Sequence, residues 1–169
     1  MSDIKLRLPL RNIFATQLFG FSFLDFYKKL KLLGHNGIDF RAMDGFDCHA
    51  AHNGIVTWAG EDSGGGISVN LTSTTQGEGF YTIYYHLKDI TVKAGDNVVA
   101  GQIIGHCDNT GKYTTGDHLH FGLKLTENGA TINKDNGFAG AIDPTPYFCM
   151  AYDGTPIGNK DCYKSNAYH

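Results

Sequence analysis

The sequence predicts an all-β fold: an antiparallel sheet or β-sandwich core preceded by a short helical N-terminal segment. After residue 34, short apolar runs alternate with turn residues, in the order GIDF, GIVTWAG, GISVNLT, FYTIYYHL and VKAGDNVVAGQIIG. Such a train of short runs is typical of strands in a sandwich or barrel. Aromatic and β-branched residues are common, which favours strands. Because no helix-length amphipathic segment interrupts the runs, a βαβ fold is not expected.

The 169 residues suit one globular domain with its own core, which we divide into three stretches. Residues 1–34 form an approach segment in which FSFLDFYKKLKLL has helix-like apolar spacing. Residues 35–150 hold the strand train. Residues 151–169 are polar and rich in turn residues. We expect this tail to pack on the surface or to contact a partner, such as a virion or another assembly.

Composition excludes several classes of partner and location. The formal net charge of −3 offers no basic surface for nucleic acid. No segment is apolar enough to span a membrane, and the N-terminal MSDIKLRLPLRNIF has no signal-peptide core. The glycines at 64–66 lack the Gly-Lys-Ser/Thr of a phosphate-binding loop, so they predict a hairpin loop.

The four cysteines lie far apart and form no CxxC pair: Cys48, Cys107, Cys149 and Cys162. This spacing argues against a cysteine-rich zinc site, and an even count alone does not establish disulfides. We expect free or buried thiols, with a Cys149–Cys162 bridge as the alternative.

The segment HLHFGLKL, residues 118–125, carries the strongest chemical signal. Apolar residues alternate strictly with the others, which predicts a strand with one buried and one open face. His118 and His120 then project from the same open face, about 7 Å apart along the chain. Two solvated strand histidines would give the same pattern, so the pair is not decisive by itself.

Two weaker elements accompany this pair. His35 and Asp39 in HNGID share parity on or beside a strand, and imidazole and carboxylate are both good ligands for zinc. His86 ends the aromatic run FYTIYYHL, where parity groups it with Thr82 and Tyr84. Alone, His86 would be interpreted as a histidine that caps a strand.

Together these elements supply two imidazoles and one carboxylate for a metal, with two histidines left over. Three protein ligands leave a fourth tetrahedral position open, which marks a catalytic zinc site. No HExxH is present, so the glutamate base of that motif is missing. A histidine can replace it because its pKa lies near the working pH.

The chain resembles the LytM/lysostaphin family of zinc peptidases, the M23 peptidases. The family pairs an HxGiDf-like element with a later HxH strand, and this chain has HNGIDF (35–40) and GDHLHFGL (116–123). Between and after them follow GIVTWAG (54–60), YYHL (84–87), VKAGDNVVAGQIIG (92–105), NTG (109–111) and IDPTPYF (142–148). So many ordered motifs, over roughly residues 9–148, make coincidence improbable.

The resemblance implies a function and a role for each site residue. It implies one Zn²⁺ per chain held by His35, Asp39 and His120, with His86 and His118 as the two catalytic histidines. One histidine would take the proton from the attacking water, and the other would stabilise the oxyanion. The implied function is a zinc endopeptidase that cuts peptide bonds of bacterial peptidoglycan, in the stem peptide or the cross-bridge.

The implied substrate places the action at the cell wall, on the extracellular or periplasmic side. Without a signal peptide in this sequence, we expect delivery as a phage product, for example as a virion component. The remaining histidines have structural interpretations: His49 and His52 are packed or exposed near the first motif, His106 lies in a turn, and His169 is terminal.

Two rival functions remain open. A cupin-type metal enzyme also carries HxH on a β-barrel, but it needs a nearby glutamate and a later histidine, and Glu127 and His169 are badly placed for these roles. The other rival is a catalytically inactive module of the same fold, with a binding or structural role in a larger assembly. The complete set of five site residues argues against it.

Overall fold

The three-dimensional structure is a computed structural model that describes residues 4–22, 25–73 and 78–157. Its early strands are β1 (Leu6–Arg7), β2 (Ala15–Gln17), β3 (Ile38–Arg41), β4 (Asp47–His49), β5 (Gly54–Asp62) and β6 (Gly66–Thr72). Its later strands are β7 (Glu78–Ile90), β8 (Asn97–Val98), β9 (Ile103–Cys107), β10 (His118–Glu127), β11 (Ala130–Thr131), β12 (Ala141–Ile142) and β13 (Phe148–Met150). Helical structure consists of α1 (Asp25–Lys29) and a 3₁₀ turn (Thr145–Tyr147).

The strands form one large antiparallel sheet, which confirms the predicted all-β fold. Its strand order is β2-β3-β10-β7-β6-β5-β8, with β11 and β12 paired to β10 and with β9 joining β4 to β7. A separate parallel pair, β1 and β13, brings the two ends of the described chain together. The longest strands, β7 and β10, lie side by side in the middle of the order, so residues from distant motifs meet there.

The core lies against one face of this sheet. Leu119, Phe121 and Leu123 of β10 are fully buried in it, as the alternation of HLHFGLKL predicts. Tyr84 and Leu87 of β7 join the same cluster. The other face of the sheet, called the outer face below, is therefore left for His118, His120 and their neighbours.

The predicted parity of β7 is wrong at its end, and a β-bulge is the reason. Val69 pairs with Tyr84 and Ile67 with Leu87, so the single residue Ser68 faces both Tyr85 and His86. His86 has a φ of 68°, a left-handed conformation that is uncommon outside glycine. The bulge turns His86 to the side of Tyr85, away from the core face that Tyr84 occupies.

The N-terminal stretch contains a short helix, as predicted, and this helix is only five residues long. Leu32 donates its amide to the carbonyl of Tyr27, and Lys31 has a φ of 58°, so the chain leaves the helix with a left-handed turn. Tyr27 is the buried residue of α1. The helix therefore ends soon enough to bring the chain back toward β3.

Several smaller predictions can be compared directly. Cys48 and Cys107 are free and buried, as expected, and Cys149 is buried, whereas Cys162 and the tail after residue 157 lie outside the described residues. The glycines at 64–66 end the β5–β6 hairpin, as predicted. His106 was misplaced: it lies in strand β9, where Nδ1 bonds the Asp89 carboxylate at 2.6 Å, because β9 extends through residue 107.

Within the described residues, no helix combines the length and apolar character needed to cross a membrane.

His52 makes the stability of the fold depend on pH. Burial lowers the pKa of this imidazole to about 4, with Nδ1 donating to the Asn53 carbonyl and Nε2 lying 3.0 Å from the Thr82 hydroxyl. Between pH 6.5 and 4 the unfolded chain binds this proton and the folded chain does not. Its contribution to stability is therefore complete above pH 6.5 and is lost as the pH falls.

We expect the wild-type free energy of unfolding to fall more steeply than that of His52→Gln between pH 7 and 4.5, by about 2 kcal/mol. Denaturant unfolding at both pH values measures the difference. Equal slopes in the two proteins would contradict this origin of the pH dependence.

Candidate metal centre and active-site cleft

Strand pairing brings the first predicted ligands together. In the antiparallel register of β3 and β10, Asp39 lies directly opposite His120. His35 lies four residues before Asp39, in the segment that leads into β3. The His35 amide donates to the carbonyl of Phe21, and the Gly20 amide donates to the carbonyl of His35. Backbone hydrogen bonds therefore fix this segment.

The three candidate ligands present one donor atom each to a common point. His120 Nδ1 lies 3.0 Å from Asp39 Oδ1 and 3.0 Å from His35 Nε2. His35 Nε2 lies 3.2 Å from the same carboxylate oxygen. His35 and His120 are buried, and Asp39 is nearly so.

Hydrogen bonding shows why this cluster suits a cation. His35 Nδ1 lies 3.2 Å from the carbonyl of Leu18, which can only accept, so in the neutral ring Nδ1 carries the hydrogen and Nε2 a lone pair. This lone pair lies beside Asp39 Oδ1, another acceptor. Two acceptors at 3.2 Å with no hydrogen between them repel each other unless a positive charge separates them.

The donor set also fits zinc in size. Ligands ~2.1 Å from a tetrahedral zinc lie ~3.4 Å from each other. The observed separations of 3.0–3.2 Å need only a small expansion. Gly37 preserves this geometry, since a Cβ there would lie 2.7 Å from the His120 ring and 2.6 Å from the carbonyl oxygen of Phe121.

The cluster shifts the pKa values of its members in ways that favour metal binding. Burial alone would raise the pKa of the Asp39 carboxyl, but the neighbouring imidazoles of His120 and His35 lower it well below its usual value. Burial lowers the pKa of His120, although Asp39 opposes this effect. An ionised carboxylate and a neutral imidazole are the forms that bind a metal ion.

His118 stands next to the cluster without joining it. Its Nε2 lies 3.7 Å from Asp39 Oδ1, farther than the three ligand atoms lie from one another. Its Nδ1 donates to the carbonyl of Gly116 at 2.7 Å, which leaves the Nε2 lone pair on the side of Asp39. His118 can therefore accept a proton beside the metal centre.

His86 completes the group from β7. Its Nδ1 donates to the carbonyl of Thr110 at 2.8 Å, and its ring centroid lies 4.6 Å from that of His118. Burial lowers the pKa of His86 to about 4, so the ring is neutral at pH 7 with its Nε2 lone pair free. The bulge in β7 thus brings a second proton acceptor to the same place.

All five predicted site residues line one cleft of about 540 Å³. Aromatic rings form much of its wall: Phe26, Tyr27, Tyr85 and Tyr113. Phe26 of α1 contacts Tyr113 with ring centroids 5.3 Å apart, so the N-terminal helix and the loop before β10 meet across the cleft. Tyr85 stacks on His120 at 5.5 Å.

Sequence reasoning missed the cleft residues outside the motifs, and Tyr27 is the most important of them. Its hydroxyl accepts a hydrogen bond from the Gln17 side chain, so its own hydrogen remains available to the cleft. Burial raises the pKa of Tyr27 to about 12, which keeps the phenol protonated. Only the helical periodicity of α1 could have indicated that Tyr27 faces the cleft.

The remaining histidines do not line the cleft. His49 is buried beside the carbonyl of Pro9 and the ring of Tyr152, and His52 is buried against Phe80. His106 bonds Asp89 at the surface. His169 lies outside the described residues.

Comparison with known proteins identifies the family. The family model described as peptidase family M23 matches residues 33–134, which include all five site residues. This chain belongs to peptidase family M23.

Individual relatives agree with this assignment. The glycyl-glycine endopeptidase ALE-1 of Staphylococcus capitis is 36% identical over 141 residues, 79% of this chain and 35% of the relative. A DD-carboxypeptidase/endopeptidase, Mpg, of Neisseria gonorrhoeae is 34% identical over 99 residues, 59% of this chain and 21% of the relative. The chain thus spans about a third or less of these relatives.

The fold also matches a solved M23 domain. The catalytic domain of the antimicrobial peptidase lysostaphin from Staphylococcus simulans superposes with a TM-score of 0.65 at 31% identity. The match covers 80% of this chain and 92% of that domain.

The hydrogen bonds of this M23 site predict the tautomer of three histidines. His35, His86 and His118 should all carry the ring hydrogen on Nδ1 in their neutral form, because each Nδ1 faces a backbone carbonyl. Long-range ¹H–¹⁵N spectra of the imidazoles at pH 7.5 distinguish the two tautomers. An Nε2–H signal from any of the three would contradict the arrangement.

Proposed function

We propose that this M23 peptidase is a zinc-dependent endopeptidase that hydrolyses peptide bonds of bacterial peptidoglycan. The observation that carries the proposal is the convergence of His35 Nε2, Asp39 Oδ1 and His120 Nδ1 at 3.0–3.2 Å, with His86 and His118 beside them in one cleft. The complete set also argues against an inactive binding module.

The names of the relatives support the substrate class. One is a glycyl-glycine endopeptidase, another a DD-carboxypeptidase/endopeptidase, and lysostaphin is an antimicrobial peptidase. All are peptidases, yet the bonds named for them differ. We therefore propose peptide hydrolysis in peptidoglycan without assigning the individual bond.

His35, Asp39 and His120 would hold one zinc ion per chain. When bound there, zinc supplies a Lewis acid that polarises the scissile carbonyl and lowers the pKa of water. Two neutral imidazoles and one carboxylate leave the bound ion with net positive charge, which this chemistry requires.

His118 and His86 would move the protons. Both present a lone pair at Nε2, because each Nδ1 hydrogen is donated to a carbonyl. His118 Nε2 lies 3.7 Å from Asp39 Oδ1 and so stands beside the proposed metal site, whereas burial opposes positive charge on His86. We therefore assign His118 to receive the water proton and to pass it to the leaving amine.

His86 and Tyr27 would orient the reacting groups. A neutral His86 can accept a hydrogen bond from the attacking water at Nε2. Tyr27 can donate its hydroxyl hydrogen to the developing oxyanion, a role that preorganised donors perform in acyl transfer. The Gln17 amide donates to the same hydroxyl and would hold it in place.

Action on peptidoglycan places the enzyme at the cell wall. Delivery as a phage product, with the C-terminal tail as a contact to a virion or other particle, is a separate hypothesis. A search for this chain by mass spectrometry in purified phage particles would test this hypothesis.

The metal assignment leads to a first set of variants. His35→Ala, Asp39→Ala and His120→Ala should each lose most of the bound zinc, whereas His86→Ala should retain about one ion per chain. Elemental analysis of dialysed protein measures this. Undiminished zinc in the His120 variant would exclude it as a ligand.

The catalytic histidines lead to a second set. His118→Ala and His86→Ala should keep the fold and the zinc but lose peptidoglycan hydrolysis by roughly 10²–10⁴-fold, the usual effect of a positioned proton-transfer group. Turbidity loss of purified cell walls measures the rate, and His106→Ala, outside the cleft, is the matched control. Near-normal rates in both variants would reduce these residues to structural roles.

Product analysis tests the reaction class. Digestion should release new amino groups and no new reducing ends, because an amide rather than a glycosidic bond is cut. A glycosidase would instead need a pair of carboxylates flanking the sugar bond, and here Asp39 is assigned to the metal. Activity should stop with a chelator and return with zinc. Release of reducing ends that survives chelation would refute the peptidase proposal.

A further inference from the structure

The outer face of the sheet extends well beyond the metal centre. Gly122 of β10 pairs with Ile83 of β7, Ile83 pairs with Asn70 of β6, and Asn70 pairs with Trp58 of β5. Directly paired residues of an antiparallel sheet lie on the same face. Because Gly122 shares its face with His120, Trp58 stands on the face that carries the metal centre, three strands away.

Trp58 is held in a fixed orientation there. Its indole nitrogen donates to Ser68 Oγ at 3.0 Å, and a Cβ on Gly60 would lie only 3.5 Å from the ring, so the indole lies over this glycine. The side chain is nevertheless 44% exposed. A large ring that is both fixed and open to solvent is prepared to stack on a ligand.

Small polar side chains lie on the same face of β5 and β6. Thr57 and Thr72 bond each other through their hydroxyls at 3.0 Å, and Asn70, which pairs with Trp58, has a buried Oδ1 with no hydrogen-bond donor among the described residues. Ile55 adds exposed apolar surface. We call these five residues, Ile55, Thr57, Trp58, Asn70 and Thr72, the tryptophan platform.

The chemistry of the platform matches a sugar better than a peptide. A pyranose ring offers an apolar C–H face to stack on the indole and hydroxyl or acetamido groups to bond the threonine hydroxyls. The platform carries no charge, so it offers nothing to pair with the carboxylates or amines of a peptidoglycan stem peptide.

The distance from the metal centre agrees with this occupant. Three strand spacings of ~4.8 Å and one two-residue step of ~7 Å separate the backbones of His120 and Trp58 by about 16 Å. An extended peptide covers this distance with four or five residues. Peptides of peptidoglycan are attached to glycan strands, so a peptide of this length, cut at the metal centre, would bring its sugar end to Trp58.

We propose that the tryptophan platform is a binding site for the glycan strand of peptidoglycan, a specificity site beside the catalytic cleft. This inference rests on the proposed function for its substrate. It adds a sugar contact by which the enzyme would prefer peptides on their glycan strand over free peptides.

Binding can be tested directly because Trp58 is the single tryptophan of the chain. The zinc-loaded full chain is titrated with glycan strands from which an amidase has removed the peptides, and then with the released peptides alone. We expect a saturable change in tryptophan emission with the glycan strands and none with the peptides. No change with glycan, or an equal change with peptides alone, would overturn the proposal.

Kinetics separate this site from the catalytic centre. Trp58→Ala should lower kcat/KM on intact peptidoglycan by about tenfold, mainly through KM, and leave hydrolysis of released peptides unchanged. Trp58→Phe should keep most of the preference, and Ile103→Ala, a comparably exposed apolar residue in β9, should change neither rate. Equal losses on both substrates would mean a structural role for Trp58 and would overturn the proposal.

The two proposals fail separately. If the wild-type chain cuts neither substrate, the peptidase function is wrong, yet the fluorescence titration still decides whether the platform binds glycan. If peptides and peptidoglycan are both cut but emission does not respond to glycan, the peptidase function stands and the platform proposal is wrong.

Discussion

The antiparallel pairing of β3 with β10 is the constraint on which the rest of the site depends. It sets Asp39 opposite His120 and so joins two motifs that lie 81 residues apart in the chain. A register shift of one residue in either strand would move the ligand of that strand to the core face. Core residues on the other face, such as Phe40, Leu119 and Phe121, oppose such a shift because it would expose them. The buried face thus fixes the position of the candidate metal ligands on the outer face.

The second constraint is the irregularity in β7. A regular strand would place His86 among the core residues, where an imidazole would need its own hydrogen-bond partners. The bulge at Tyr85 and His86 avoids this, and it costs one residue in a left-handed conformation. Thr110 offsets part of that cost, since its carbonyl accepts from His86 while its hydroxyl donates to the carbonyl of Leu87. An irregular stretch of backbone thus positions a residue of the proposed chemistry.

Period-two patterns allowed the strands and the core face of β10 to be predicted from the sequence, whereas the grouping of the site motifs came from ligand chemistry and the resemblance to M23 peptidases. Alternation reports which face a residue occupies, and HLHFGLKL is long enough to make it unambiguous. The orientation of His86 could not be predicted, because a bulge changes parity and leaves no compositional mark. Tyr27 escaped prediction since a five-residue helix has too few turns to define a buried face. The strand position of His106 was missed because polar neighbours ended the apolar run before the strand itself ended.

The cluster around Asp39 brings hydrogen-bond acceptors close together in an otherwise consistent fold. Asp39 is largely buried, and the Nε2 lone pairs of His35 and His118 both lie near its carboxylate. Such an arrangement destabilises a folded chain unless a cation or a proton occupies it. Local conflicts of this kind are expected at functional sites and are tolerated because the surrounding structure overrides them. Here the long strands β7 and β10 supply that support, so the sheet holds the acceptors together, and the free energy of binding the proposed zinc would add to the stability of the folded protein.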